Sequence, residues 1–282
     1  MEQRSEKELG KQLGRGATAK IYEWENNQVL KLFDHEIPTE LIEREANKTH
    51  LLHTAGINVP AAGNLVEING CLGLPLEKIN GKTMQEHIIQ KPWRMFHYWR
   101  KLAELQIKLY EIKPIQELPP QRKFIKDTIQ NTSKLEPAMK AVLLDSLAKL
   151  PDGDSIIHYD FYPANILITV NGPVIIDWMG AFKGNPLADI ARTWVVFSKY
   201  LSPDLPVEYV PIAPYIRPLH RQTTKLILKH YLKHYFRLRP GGEKEFEAWK
   251  PIMAATALNE SPRFGVEKVR LKIVQDAFPQ VK

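Results

Sequence analysis

The chain has 282 residues, 44% of them apolar and 25% charged, which fits a globular enzyme built as one two-lobed unit or two modest domains. No apolar run approaches the ~20 residues that span a bilayer, and the single cysteine, Cys71, excludes an internal disulfide and is expected as a small buried residue. The net charge of +7 raises the question of nucleic acid, but the basic residues are scattered without a clustered, aromatic-interleaved patch, so no nucleic-acid partner is expected. Met1 to Gly10 lack the apolar core of a signal peptide, so a cytoplasmic protein with no membrane partner and no obligate protein partner is expected.

The first quarter reads as strands. Gly14-Arg15-Gly16 separates Leu9–Leu13 from Ile21–Trp24, and an Asn26-Asn27 turn leads to the apolar run Val29–Phe33, which holds Lys31. Pro38 to Ala55 has helical spacing and stops at Gly56, with Pro60 soon after. Asn69-Gly70 between Leu65–Ile68 and Cys71–Leu76 is a hairpin signal, because both turn positions need positive φ.

From Thr83 the pattern turns mostly helical. The longest periodic stretches are Trp93–Tyr110 and Arg122–Leu150, divided by a Pro114–Pro120 loop. Strand character returns between Ile156 and Ile176, and helices resume from Leu187. Near the end, Lys225, Lys229 and Lys233 recur every fourth residue opposite Leu228, Tyr231, Leu232 and Tyr235, the pattern of a solvated helix face. From Ala191 onward 16 Lys and Arg stand against 8 Asp and Glu. Trp24, Trp93, Trp99, Trp178 and Trp194 are expected to pack. Strands first and helices after predict an α+β fold with a small β-rich lobe over 1–77 and a larger helical lobe over 78–282.

The chemistry concentrates in HYDFYPANILITVNGPVIIDWMGAFKGNPLAD, from His158 to Asp189. Ile166–Val170 and Pro173–Ile176 are apolar and β-branched, and an Asn171-Gly172 turn between them would place Ile166 opposite Asp177. Asn165 and Asp177 would then meet at the open end, with Asp160 on the preceding loop. Hard oxygen donors of this kind suit Mg²⁺ alongside waters and phosphates. Phosphoryl transfer asks for cations on the phosphates, a hydroxyl held in line and a carboxylate beside it.

These segments resemble a known family. HYDFYPAN is similar to the HxDxxxxN catalytic loop of protein-kinase-like enzymes, IIDW to the metal-binding segment of aminoglycoside phosphotransferases and choline kinases, and GNPLAD to the GDPxxD that follows it there. The resemblance implies a protein-kinase-like two-lobed fold and a small-molecule kinase that moves the γ-phosphate of ATP or GTP onto a hydroxyl acceptor with Mg²⁺. It implies Asp160 as catalytic base, Asn165 and Asp177 as metal ligands, and His158 and Asp189 as braces of the catalytic loop. LGRGATAKIYEW resembles the nucleotide-covering loop, through Gly14 and Gly16. Lys31 falls at the phosphate-binding lysine, with Glu45 as its partner and Glu43 as the fallback two positions away on the same helix. Leu74 to Ile79 would be the hinge that meets the base. Four residues depart from the pattern: Tyr159, Tyr162, Asn185 in place of the first Asp of GDPxxD, and Met179.

Two rival functions differ in sequence terms. A protein kinase carries a long segment closed by APE after its metal-binding Asp, whereas Asp177 here runs directly into Gly184-Asn185-Pro186. A non-catalytic nucleotide-binding scaffold would have lost Lys31, Asp160, Asn165 or Asp177, and all four are present. The basic C-terminal region does not favour a polycationic acceptor such as an aminoglycoside over a neutral or anionic one.

Overall fold

A computed structural model describes residues 2–4, 8–16, 18–202, 217–260 and 266–281. The chain divides into two compact units, Met1–Gln90 with Pro163–Ala181, and Lys91–Tyr162 with Phe182–Lys282. Against the 77/78 division read from the sequence, the first unit continues to Gln90 and takes back residues 163–181.

The first unit is built on a six-stranded sheet. Its strands are β1 (Glu2–Arg4), β2 (Gln12–Arg15), β3 (Ala19–Trp24), β4 (Gln28–Phe33), β5 (Val66–Ile68) and β6 (Cys71–Glu77), ordered β1-β5-β6-β4-β3-β2. Every pairing is antiparallel except β1 with β5. Asn69 (φ 48°) and Gly70 (φ 76°) form the expected two-residue turn that joins Ile68 to Cys71. Strand alternation sorts β4. Leu30 and Leu32 pack with Val66 and Ile68, while Phe33 packs with Ala19, Leu74 and Ile42 of α1 (Thr39–Thr54). Lys31, between the two leucines, therefore shares the face of Phe33 and looks toward α1. Cys71 is half-buried rather than enclosed, as its place directly after the Asn69-Gly70 turn, at the first residue of β6, allows.

The same unit continues through β7 (Lys82–Thr83) and α2 (Met84–Gln90) and includes a hairpin of β9 (Ile166–Thr169) and β10 (Gly172–Ile175), ordered β10-β9-β7. Its register differs from the sequence expectation by one turn position. Thr169 pairs with Gly172 and Ile166 with Ile175, so the two-residue loop is Val170-Asn171. The cause is local. The Thr169 hydroxyl donates to the Gly172 carbonyl (2.7 Å) and accepts from the Asn171 N–H (3.1 Å), and Gly172 opens β10 with φ 113°.

The second unit is mostly helical: α3 (Met95–Tyr110), α4 (Gln121–Asn131), α5 (Pro137–Lys149), α6 (Pro186–Ser198), α7 (Arg217–Leu238), α8 (Glu243–Thr256) and α9 (Glu267–Ala277). Here β8 (Ser155–Ile157) pairs antiparallel with β11 (Phe182–Gly184). The helical stretch expected over 122–150 is two helices. Pro137 occupies the first turn of α5, and the Thr132 hydroxyl accepts the Lys134 N–H (3.2 Å) in the break. Phe161, Ile190, Tyr231, Tyr235, Trp249 and Ile252 are buried and form part of this unit's core, each contributing about 1.5–3 kcal/mol by area. Trp93 does not pack: it stands exposed in the short 3-10 turn before α3. The helical reading beyond Leu187 holds for α6 to α9, while residues 203–216 and 261–265 lie outside the described residues. Among the described residues, no helix is long and apolar enough to cross a membrane.

Candidate active site

In the first unit, sheet, helix and hairpin converge on Lys31. Its ammonium donates to Glu45 Oε1 at 2.6 Å and to Asp177 Oδ1 at 2.8 Å. Burial by itself disfavours that charge, but the Asp177 and Glu45 carboxylates outweigh it and hold the Lys31 pKa above the ordinary lysine value. Burial likewise pushes the Glu45 carboxyl up, with Lys31 pulling against it, and among the described residues the buried Glu45 Oε2 has no hydrogen-bond partner. Glu43, the fallback partner, is exposed, as two residues along a helix face different directions.

Asp177 sits past the end of β10 in a left-handed conformation (φ 66°, ψ 65°), a backbone cost of roughly 1–3 kcal/mol for a non-glycine residue. Asn165, buried, closes the facing 3-10 turn, and its carbonyl accepts the Ile176 N–H at 3.0 Å. The ladder thus runs one step beyond β9 and β10, with Asn165 opposite Ile176 and Asp177 the next residue along. With Lys31 on one oxygen, the Asp177 side chain remains 43% exposed.

The sequence reading missed Lys48. It lies three residues after Glu45 on α1, is buried, and donates to the Met179 carbonyl at 2.7 Å, fastening α1 to the turn that follows Asp177. Burial, helped by the charge of Arg44, lowers its pKa to about 8. A lysine one turn from Glu45 on the helix face that meets the sheet was the available signal.

Gly14 lies within β2 opposite Ile21, and Gly16 follows the strand, its N–H donating to the Ala19 carbonyl at 2.8 Å. Neither needs glycine for its φ, and among the described residues a Cβ would meet nothing within 4 Å at Gly14 and only the Ala19 carbonyl oxygen, at 3.7 Å, at Gly16. The fold does not demand these glycines, unlike Gly81, where a Cβ would lie 2.6 Å from the Ile168 carbonyl.

The second unit holds Asp160 and its supports. His158 is fully buried, and its Nδ1 accepts the Asp160 N–H at 3.2 Å, which leaves the ring proton on Nε2. Tyr159 has φ 73° although its ring is buried against Phe124 and Phe182. Its hydroxyl donates to Thr256 at 3.1 Å, and burial pushes its pKa to about 12.

That strained loop is held from α6. Asp189 Oδ1 accepts the Tyr159 N–H (2.8 Å), Arg192 Nε donates to the Tyr159 carbonyl (3.3 Å), and the Thr193 hydroxyl donates to the Phe161 carbonyl (3.1 Å). Positions 189, 192 and 193 share one helix face. Asp189 Oδ2 also accepts from Tyr110 (2.9 Å) and Gln106 (3.1 Å), and burial pushes its carboxyl above the usual range against these donors. Asp189 is not the helix cap. Asn185 is, its side chain accepting the Leu187 N–H at 2.8 Å, because Pro186 puts the helix start there.

Arg192 is the largest omission of the sequence reading. Its Nη2 donates to Asp160 Oδ1 at 3.0 Å and to Glu260 Oε1 at 2.6 Å, and Arg270 holds the other oxygen of Glu260 at 3.0 Å. Burial disfavours the Arg192 charge, and Glu260 and Asp160 more than restore it. The available signal was an arginine three residues after Asp189, facing the same way inside an apolar helix.

The sequence over residues 10–211 matches the family model described as phosphotransferase enzyme family. A search of curated proteins finds no match. Among solved structures the chain is similar to an aminoglycoside-3′-phosphotransferase of type VIII, at 15% identity over 87% of this chain and 91% of that one, TM-score 0.56. It is similar to a choline/ethanolamine kinase family protein from Mesorhizobium loti, at 16% identity over 96% and 87%, TM-score 0.56. It is also similar to an aminoglycoside phosphotransferase from Streptomyces rimosus solved with ADP and streptomycin, at 14% identity over 86% and 91%, TM-score 0.55. At these identities the shared property is the fold, the protein-kinase-like α+β architecture expected from the sequence.

Proposed function

The chain belongs to the phosphotransferase enzyme family, and from that premise we propose that it is a small-molecule kinase moving the γ-phosphate of ATP onto a hydroxyl group. The observation that carries this reading is the Lys31 ammonium, buried yet kept charged between Glu45 and Asp177. An apolar side chain would pack there at less cost, so a fixed cation at that position has a use beyond stability. The relative solved with ADP supports an adenine nucleotide as donor rather than GTP.

In this mechanism Lys31 binds donor phosphate oxygens, and the absence of side chains at Gly14 and Gly16 lets the phosphates come close to the backbone. The acceptor oxygen attacks the γ-phosphorus as the bond to the β,γ-bridging oxygen breaks. ADP leaves, and the acceptor proton passes to Asp160. Arg192 and His158 fix that carboxylate from the side chain and the backbone. Asp189 and Thr193 hold its loop.

The donor set fits Mg²⁺. Asn165 and Asp177 offer an amide and a carboxylate oxygen, and no cluster of three His, Cys, Asp or Glu exists among the described residues, as suits an ion completed by phosphates and waters. Bound there, Mg²⁺ would neutralise phosphate charge. Between Asp177 and α6 lie only a 3-10 turn and β11, a connection too short for a peptide-binding segment, which favours a small acceptor over a protein. A cytoplasmic site of action, where ATP and Mg²⁺ abound, accords with this reading.

The test is transfer from γ-labelled ATP with Mg²⁺ to aminoglycosides, macrolides, amino alcohols, sugars and a generic protein. A labelled small molecule that disappears with Asp160→Asn is expected. Label on the protein alone, or transfer that survives Asp160→Asn, would sink the assignment.

A further inference from the structure

A second surface lies wholly within the second unit, on packed helices α3 and α7. Phe96 stacks edge-on against His230, ring centroids 5.1 Å apart, and Trp99 against Tyr231 at 5.6 Å. Away from that contact α7 exposes Lys225, Lys229 and Lys233, and α3 with its preceding turn exposes Arg94, Arg100 and Lys101. Among the described residues one carboxylate pairs with any of these six cations: Glu104, held by Lys101 (2.8 Å) and His234 (3.1 Å). Among the described residues the other five cations form no ion pair.

The charges act together. His230 on α7 is pushed down by burial and then by Arg100, His234 and Lys233, so cations of both helices reach it. His97 on α3 is pushed down by burial and by Arg94, Lys101 and Arg100. Like charges held this close, with Glu104 alone set against them among the described residues, destabilise a free surface and gain from an anionic partner.

The same strip carries large apolar side chains in the open. Trp93 is 75% exposed, Leu226 57% and Phe96 37%. Trp93 lies three residues before Phe96, and Leu226 one helical turn before the His230 that Phe96 touches. A polyanion such as duplex DNA makes use of the cations and gains little from an exposed leucine. An anionic bilayer uses both: headgroups meet the lysines and arginines, tryptophan favours the interface, and Leu226 and Phe96 reach hydrocarbon.

We propose that the α3–α7 face docks the enzyme peripherally on an anionic lipid surface. The sequence reading took Lys225, Lys229 and Lys233 as a solvated face; the apolar residues and the second basic helix beside them are what the fold adds.

The experiment sediments the full chain with vesicles of phosphatidylcholine alone and of phosphatidylcholine with phosphatidylglycerol, at low and high salt. Partition onto the anionic vesicles is expected to be at least about tenfold stronger and to weaken with salt. Lys225→Gln/Lys229→Gln/Lys233→Gln should reduce it at least about tenfold. Trp93→Ala/Leu226→Ala should reduce it while leaving phosphate transfer in solution unchanged. Tryptophan emission should shift to the blue on anionic vesicles and not in Trp93→Phe. Equal partition onto both vesicles, no partition onto either, or unaltered partition of the variants overturns the proposal. So does capture of duplex DNA at lower concentration than vesicles with no effect of Trp93→Ala/Leu226→Ala, which would assign the surface to nucleic acid.

Discussion

Replacing Lys31 by methionine removes the cation shared by two carboxylates of unequal exposure, and that inequality sets the cost. Asp177 keeps 43% of its side chain in solvent and reverts to hydration with little loss. Glu45 has a 2% exposed side chain and one oxygen already without a partner, so its charge is stranded. Breaking a buried pair from one side costs about 3–5 kcal/mol, and the lower end applies at pH 8 because Glu45 can take up a proton. The sign follows from linkage. A carboxyl whose folded pKa is raised binds more protons folded than unfolded, so its contribution falls as pH rises above the ordinary value of 4.5. The Lys31→Met penalty should therefore shrink to about 1–2 kcal/mol at pH 5.5. Glu45→Leu should cost only about 1 kcal/mol, since Lys31 keeps Asp177 at 2.8 Å. In the double variant both charges are gone, and stability should return to within about 1 kcal/mol of the parent. Urea unfolding of all four proteins at both pH values measures this, and transfer activity should be lost wherever Lys31 is lost. A double variant as unstable as the two single losses added together, or a Lys31→Met penalty independent of pH, would refute the reasoning.

Three further outcomes are expected. Arg192→Lys retains charge but not the fork that reaches Tyr159, Asp160 and Glu260 together, so kcat should fall about 10–100-fold with the KM for ATP nearly unchanged; an unchanged kcat would remove Arg192 from the positioning of Asp160. Asp177→Asn should raise the KM for ATP as well as lower kcat, whereas Asp160→Asn should lower kcat by about 10²–10⁴ with nucleotide affinity intact; nucleotide titration separates the two, and matching profiles would mean the roles are misassigned. Lys48, depressed to about 8, binds fewer protons folded than unfolded between that value and 10.5, so stability should gain as pH rises through that window. Below pH 8 the cost is fully present, and Lys48→Met should gain about 1–2 kcal/mol there after losing its bond to the Met179 carbonyl. Urea midpoints of parent and variant that run parallel from pH 7 to pH 10 would contradict this, the window being the one set by the folded value of about 8 and the ordinary value of 10.5.

Legibility in the sequence followed the range of the interaction. Asn69-Gly70 announced its turn because positive φ is a property of two residues and their neighbours. The β9–β10 loop misled by one position because Thr169, outside the supposed turn, recruited Val170 into the loop through its own hydroxyl. Lys31 with Glu45, 14 residues apart, was implied by the family resemblance, and helix geometry leaves Glu43, two positions away, facing elsewhere. Glu260 was not readable, since 100 residues separate it from Asp160 and no local pattern marks a glutamate after Asn259 as the partner of an arginine in α6.

The charged clusters of the two units solve one electrostatic problem in the same way. A group that must meet phosphate or substrate needs a fixed charge, and a fixed charge in a protein interior needs partners that do not move. In the first unit Lys31 is set between a carboxylate that is sealed off, Glu45, and one that reaches solvent, Asp177. In the second unit Arg192 is set between Asp160, whose side chain is 37% exposed, and Glu260, whose far oxygen Arg270 holds. Each buried cation thus holds one anchoring carboxylate and one carboxylate that reaches solvent. The open member cannot be replaced without disturbing the anchor, and the anchor cannot be replaced without changing how firmly the open member is held. Charge order within each unit therefore precedes any ligand, and substitutions at Glu45 and Glu260 should reach the chemistry although neither residue is assigned a contact with substrate.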